Sequence, residues 1–143
     1  MEPIMEGAVS HPLVHKIIAY QMAMARQDTD AGRDIFSPNV IYIVPGSNPL
    51  SGRYEGPEAV MGYFGRLMEM TSGTYRISHM LWLVCLDCVT LVTKNHATID
   101  QADLDWDEAL VFGFENGRKS RIELFQADQL SVDQFFSRAQ TVS

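Results

Sequence analysis

Ile122, Leu124, Gln126 and Asp128 alternate along the last apolar run of the chain, which sets all four on one side of a strand that ends in a carboxylate. A carboxyl group facing the inside of a fold has its charged form disfavoured by desolvation. Its pKa then rises toward the range where an acid or base works near neutral pH. The competing reading of Asp128 is a loop carboxylate capping the turn over Gln129 to Ser131. His79 begins an earlier strand on the side of Leu81 and is a candidate general base, with a satisfied or surface histidine as the alternative. Arg53, in a Pro/Gly-rich loop, is placed to hold a substrate carboxylate or enolate, or to sit in solvent. The stretch Asp103, Asp105, Asp107 and Glu108 reads first as a solvated acidic edge.

Two further patterns bear on metals and redox chemistry. Cys85 and Cys88 form a Cys-x-x-Cys, but zinc needs two more ligands and a redox pair normally opens a helix after a strand. Here Leu86-Asp87 lies between two β-like runs, so two buried thiols near a hairpin are expected. His11 and His15 stand four apart without the glutamate of a His-Glu-x-x-His motif or a placed third ligand, and read as surface imidazoles. No nucleophile elbow, phosphate loop, dinucleotide fingerprint or metal triad occurs. The economical enzyme hypothesis is therefore proton transfer on a small apolar ligand, with no cofactor and no metal.

With 143 residues, 46% of them hydrophobic, the chain suits a single domain over 1–143 with one sizeable core, residues 1–10 being a disordered lead. No segment is apolar enough to span a bilayer, and the lead lacks the basic and apolar runs of a secretory signal, so a cytoplasmic location is expected. The net charge of −7 argues against nucleic acid and anionic membrane as partners, since both demand clustered Lys and Arg.

The elements that must position these groups follow from periodicity. Leu13, Ile17, Tyr20 and Met24 recur at helical spacing and predict a helix from about Pro12 to Arg26, with Tyr20 on its buried stripe. Asp28 or Asp30 caps a second short helix through Phe36. Pro38 and Asn39 end it, and Val40 to Val44 reads as a strand. Pro45 to Gly56 is a loop and a candidate lid. Pro57 and Glu58 open a third helix, which Ser72-Gly73 closes. From Tyr75 the period becomes two, predicting strands near Tyr75 to Leu86, Cys88 to Ile99, Leu104 to Phe114 and Lys119 to Ala127. Ser131 with Gln134 is a capping box for a short last helix carrying Phe135 and Phe136. In the first of the four strands both alternating sets are apolar: Leu81, Leu83 and Cys85 against Met80, Trp82 and Val84. Such a sheet needs cover twice, which predicts helices on one face and a second copy of the chain on the other, a homodimer through the outer sheet face.

This order resembles the nuclear transport factor 2-like superfamily, and within it the ketosteroid isomerase and SnoaL-like polyketide cyclase branch, from about Leu13 to Phe136. The resemblance is carried by Gly52-Arg53-Tyr54-Glu55-Gly56-Pro57-Glu58-Ala59-Val60, the Phe114-to-Gly117 turn, and the ending from Asp128-Gln129 to Phe135-Phe136. It implies an α+β fold: a cone-shaped, curved, mostly antiparallel sheet with three helices of the N-terminal half packed on its concave face, enclosing a pocket. It places the isomerases' oxyanion tyrosine on Tyr20 and their oxyanion aspartate on Asp107. Such a pair donates hydrogen bonds to a carbonyl or enolate oxygen, the aspartic acid being kept protonated by an apolar site. Asp105, Ala109 and Val111 would share the side of Asp107, and a register slip of one residue would put Glu108 in the cavity instead.

The isomerases' proton-shuttling aspartate falls on Val44, which carries no proton, and Ile43 stands where related sequences often have histidine. Asp128 matches the cyclases' last-strand aspartate. Tyr42, Val44, Trp82 and Trp106 are the groups available for the pocket wall. Implied is isomerisation or cyclisation of a small hydrophobic carbonyl compound of polyketide or terpenoid type, in secondary metabolism. The alternative is a non-catalytic small-molecule-binding or dimeric module of the same fold. A third reading, an epoxide hydrolase, needs an Asp-Arg-Asp set around a water.

Overall fold

Pro12 supplies the first helical residue of α1 (Pro12–Ala25), and His11 caps it, its Nδ1 accepting from the Leu13 N–H at 3.1 Å. Val14 and Ile17 turn inward along this helix. Asp28 caps the short α2 (Thr29–Arg33). Gly56, at φ +87°, and Pro57 open α3 (Pro57–Met70), which buries Val60, Met61 and Leu67. A fourth helix, α4 (Gln129–Ser137), brings Val132, Phe135 and Phe136 into the core and runs into a 3₁₀ turn at Arg138–Gln140. The computed structural model describes residues 2–140.

The strands are β1 (Ile4–Gly7), β2 (Phe36–Val44), β3 (Gly52–Glu55), β4 (Arg76–Val84), β5 (Cys88–Ile99), β6 (Ala102–Glu115) and β7 (Arg118–Gln126). They form one open sheet in the order β1-β4-β5-β6-β7-β2-β3. The β4 to β7 meander is antiparallel, β2 joins β7 in parallel, and β1 runs parallel to β4. The β6–β7 turn is Asn116-Gly117 with both residues at positive φ, the conformation a two-residue hairpin needs.

The helices cover one face of the sheet. Trp82, Leu91, Phe112, Ile122 and Leu124 meet the helical side chains there, all 4% exposed or less. Fully burying a side chain of this size contributes about 1.5–3 kcal/mol. The other face carries Leu81 (37% exposed), Leu83 (50%) and Phe125 (51%). The expected α+β architecture is therefore observed, with the two-sided apolar pattern of β4 split between core and surface.

Several details differ from expectation. Ile4–Gly7, expected as part of a disordered lead, pairs with His79 to Trp82 as an edge strand. Phe36, expected at a helix end, opens β2, because α2 stops at Arg33. The supposed loop from Pro45 to Gly56 contains β3, paired with Ile41 to Val44. Register shifts at Ser78 and at Ser120 flip the side-chain alternation of β4 and β7 partway along each strand.

Candidate functional site

On the inner face of β6 the side chains are Leu104, Trp106, Glu108, Leu110 and Phe112, so a carboxylate stands in an otherwise apolar row. Its cross-strand neighbours are Thr93 on β5 and Gln126 on β7. Trp106 Nε1 donates to Glu108 Oε1 at 2.7 Å, and Gln126 Nε2 donates to the same oxygen at 3.1 Å. Glu108 Oε2 has no protein hydrogen-bond partner among the described residues. Burial raises the Glu108 pKa above 4.5, although the two donated bonds pull the other way.

Glu108 lines a cavity of about 20 Å³, bounded by Val44 and Leu50, by Tyr63 and Tyr75, and by Trp106 and Gln126. That volume holds about one water molecule. Tyr75 donates to Asn95 Oδ1 at 2.6 Å, and Asn95 Nδ2 donates to Thr93 Oγ1 at 2.8 Å, so the floor of the cavity is a connected polar network. Burial, and behind it the nearby Glu108 charge, pushes the Tyr63 and Tyr75 hydroxyls up. Tyr63 packs edge-on against Tyr42, ring centroids 4.8 Å apart, and stands on the cavity wall.

The outer rim is built from the β2–β3 connection and α4. Asn48 Nδ2 donates to Asp133 Oδ1 at 2.8 Å, and Gln129 Nε2 donates to the same atom at 3.0 Å. Asn48 and Gln129 both line the cavity, so the segment expected as a lid is clamped to α4 across the opening.

Of the residues singled out from sequence, Val44 and Trp106 line this cavity, and Tyr42 backs it through Tyr63. Asp107 does not: its side chain is 53% exposed and pairs with Lys94 at 3.5 Å on the outer face, while the one-residue alternative, Glu108, faces inward. Asp128 is also outside the cavity. β7 ends at Gln126, so the strand alternation stops before Asp128, which instead caps α4. It accepts from the Ser131 N–H at 3.1 Å and the Ser131 hydroxyl at 2.7 Å, bonds that hold its carboxyl below the ordinary value.

Tyr20 packs edge-on to Phe36, and burial pushes its hydroxyl up to about 12; it is not among the cavity's lining residues. His79 keeps the side of Leu81 and Leu83 and so lies on the outer face, its Nδ1 2.8 Å from Ser78 Oγ. Arg53 is exposed and paired with Glu55, and Trp82 is wholly buried in the core. Tyr20, Asp107 and Asp128 are thus not brought together. Cys85 is exposed and Cys88 half-buried at the β4–β5 hairpin, correcting the expectation of two buried thiols. Among the described residues no three His, Cys, Asp or Glu side chains gather to hold a metal.

Lys119 escaped the sequence reading altogether. It is 2% exposed, with Nζ 4.3 Å, 4.8 Å and 5.2 Å from the ring centroids of Tyr20, Phe112 and Phe36 and no ion pair among the described residues. Desolvation lowers its pKa from 10.5 to about 7. The bulge at Ser120 is what turns it inward, and no hydrophobic pattern announces such a flip.

An open, mostly antiparallel sheet covered by helices on one face, with a cavity between the layers, is the architecture of the nuclear transport factor 2-like class. Within that class the chain belongs to the SnoaL-like domain family, whose sequence model matches residues 17–122. It is 28% identical over 116 residues to an uncharacterised Mycobacterium tuberculosis protein, a match covering 80% of this chain and 88% of that one. Bal32a, from a soil-derived mobile gene cassette, has a similar structure, with TM-score 0.78 and 26% identity over 87% of this chain and 95% of its own. A polyketide cyclase candidate from Sinorhizobium meliloti superposes with TM-score 0.60 at 21% identity, covering 77% of this chain and 93% of that one.

Proposed function

We propose that the protein is a cofactor-independent acid–base enzyme that isomerises or cyclises a small, largely apolar carbonyl compound, polyketide- or terpenoid-like, with Glu108 carrying the proton. The supporting observation is a half-buried carboxyl in an apolar row, whose hydrogen bonds among the described residues all fall on one oxygen, at the wall of a cavity lined by aromatic side chains. As carboxylate, Glu108 takes a proton from the carbon beside the carbonyl. The enolate that forms is steadied at its oxygen by the Tyr63 hydroxyl. Where a carbon–carbon double bond adjoins that carbon the anion is a dienolate, and return of the proton at its far carbon shifts the double bond and completes an isomerisation. Attack of the enolate on a second carbonyl of the same molecule, with the proton going to the new alkoxide, completes a cyclisation. The raised pKa of Glu108 brings it nearer the range suited to both halves of the cycle. A substrate needs the cavity to widen, since it holds about one water molecule, and the Asn48–Asp133 bond at its rim is the contact that would give.

The test needs no natural substrate: exchange of the α-protons of small cyclic ketones for deuterium in D₂O, followed by NMR. Glu108→Gln is expected to lower the exchange rate by about 10²–10⁴-fold, and Asp128→Asn to leave it unchanged. Full exchange in a folded Glu108→Gln protein would overturn the assignment.

A second reading, a non-catalytic binding module, is supported by the small size of the cavity and by the two bonds that already engage Glu108. Ligand binding without α-proton exchange would favour it. The epoxide hydrolase reading has no arginine among the cavity's lining residues to support it. The exposed apolar side chains of the outer sheet face support a homodimer through that face, and the two free thiols support a reducing compartment such as the cytoplasm.

A further inference from the structure

Trp106 Nε1 has only a donor to offer, so Glu108 Oε1 must act as its acceptor. The group of Gln126 that meets the same oxygen is the amide nitrogen, the orientation an ionised Glu108, which can only accept, requires. The Gln126 carbonyl oxygen that results is buried and has no hydrogen-bond partner among the described residues. Its neighbour across the strands, Glu108 Oε2, has no protein donor either, and both residues line the same cavity. Of the other donors nearby, Tyr75 is committed to Asn95, Asn95 to Thr93 and Trp106 to Glu108 itself, and the Tyr63 hydroxyl on the cavity wall makes no hydrogen bond to the Gln126 oxygen.

We infer that the ligand of this cavity carries a hydroxyl group, phenolic or enolic, whose O–H is donated to Gln126 Oε1 beside Glu108. This rests on the reading of the Glu108 cavity as the working site and narrows its substrate class from carbonyl compounds in general to hydroxylated ones. A buried acceptor is costly to leave unpaired, so a site of this kind rejects an analogue that lacks the matching donor far more strongly than one lacking a methylene. Gln126 is thereby a specificity-determining residue, and Glu108 keeps its separate role with the proton.

A matched pair of probes tests this: phenol and its methyl ether anisole, titrated into the full chain and followed by protein NMR shifts. Phenol is expected to bind at least about tenfold more tightly than anisole, with perturbations at Gln126 and Trp106. In Gln126→Met the ratio is expected to fall to about twofold or less through weaker phenol binding, with anisole affinity kept. Should that variant not fold, Gln126→Asn, which keeps the amide but withdraws it from the cavity, is expected to reduce the ratio as well. Equal binding of phenol and anisole, binding of neither, or a preference that survives the Gln126 substitutions would overturn the inference. These outcomes read binding alone, so they are distinguishable from failure of the acid–base reading, which shows as undiminished α-proton exchange in Glu108→Gln.

Discussion

Replacing Lys119 with Met is expected to stabilise the protein at neutral pH, by an amount that shrinks as the pH rises. In the unfolded chain the amine titrates at 10.5, and in the fold at about 7. Below about pH 7 both states hold the proton, and the folded state bears the whole cost of enclosing a charge that has no counter-ion among the described residues. Between about pH 7 and 10.5 the unfolded chain holds a proton the folded chain lacks, so stability rises with pH. Each pH unit is worth about 1.4 kcal/mol, making the full climb on the order of 5 kcal/mol. The rings of Tyr20, Phe36 and Phe112 offset part of the cost, at about 0.5–2 kcal/mol for a cation facing an aromatic. Tyr20 works in the opposite direction at high pH. With its hydroxyl raised from 10.0 to about 12, it makes stability fall above about pH 10. The informative window is therefore about pH 6 to 9.5. Urea unfolding of wild type and Lys119→Met across that window gives the difference directly. The variant is expected to be more stable by several kcal/mol at about pH 6.5, with the gap closing by about 1.4 kcal/mol per pH unit above pH 7. A pH-independent gap would refute the reasoning, since it would mean that the ammonium keeps its proton on folding.

Gly46 lies at φ +94°, and a Cβ there would collide with Gln129 Nε2 and Asp133 Oδ1. Gly46→Ala is expected to cost about 1–3 kcal/mol and to disrupt the rim clamp, read as a lower Tm and altered Asn48 and Gln129 side-chain amide resonances. Leu81→Lys with Leu83→Lys is expected to convert a dimer into a monomer in sedimentation experiments without loss of helical or sheet content. A wild-type protein that sediments as a monomer would dispose of the outer-face association.

The helices and strands were largely readable in the order of residues because the hydrophobic period changes from helical spacing to two at Tyr75 and holds to Gln126. The inward face of β6 was also readable. Leu104, Trp106, Leu110 and Phe112 share one alternating set, and Glu108 is its one polar member; the facing set begins Asp103, Asp105, Asp107. Laying a family pattern over the strand favoured Asp107 by one residue, and in a strand one residue exchanges the two faces. Asp128 misled for another reason. Alternation predicts a direction only while the strand lasts, and β7 gives way to a helix cap first. Lys119 was placed by a bulge, which arises from pairing between distant segments and leaves no local periodic trace. Tyr63 and Tyr75, which form much of the cavity wall, were hidden because an aromatic on a helix or at a strand end reads as ordinary core until the layers meet.

The central claim is that Glu108 is the enclosed, proton-exchanging carboxyl of this fold. The most direct measurement is a ¹³C NMR titration of the glutamate side-chain carboxyl carbons, with Glu108 assigned by its loss in Glu108→Gln. The account predicts a Glu108 midpoint above the ordinary 4.5 that moves when a ligand occupies the cavity. A Glu108 carboxyl that titrates at or below that value and ignores ligand would contradict it.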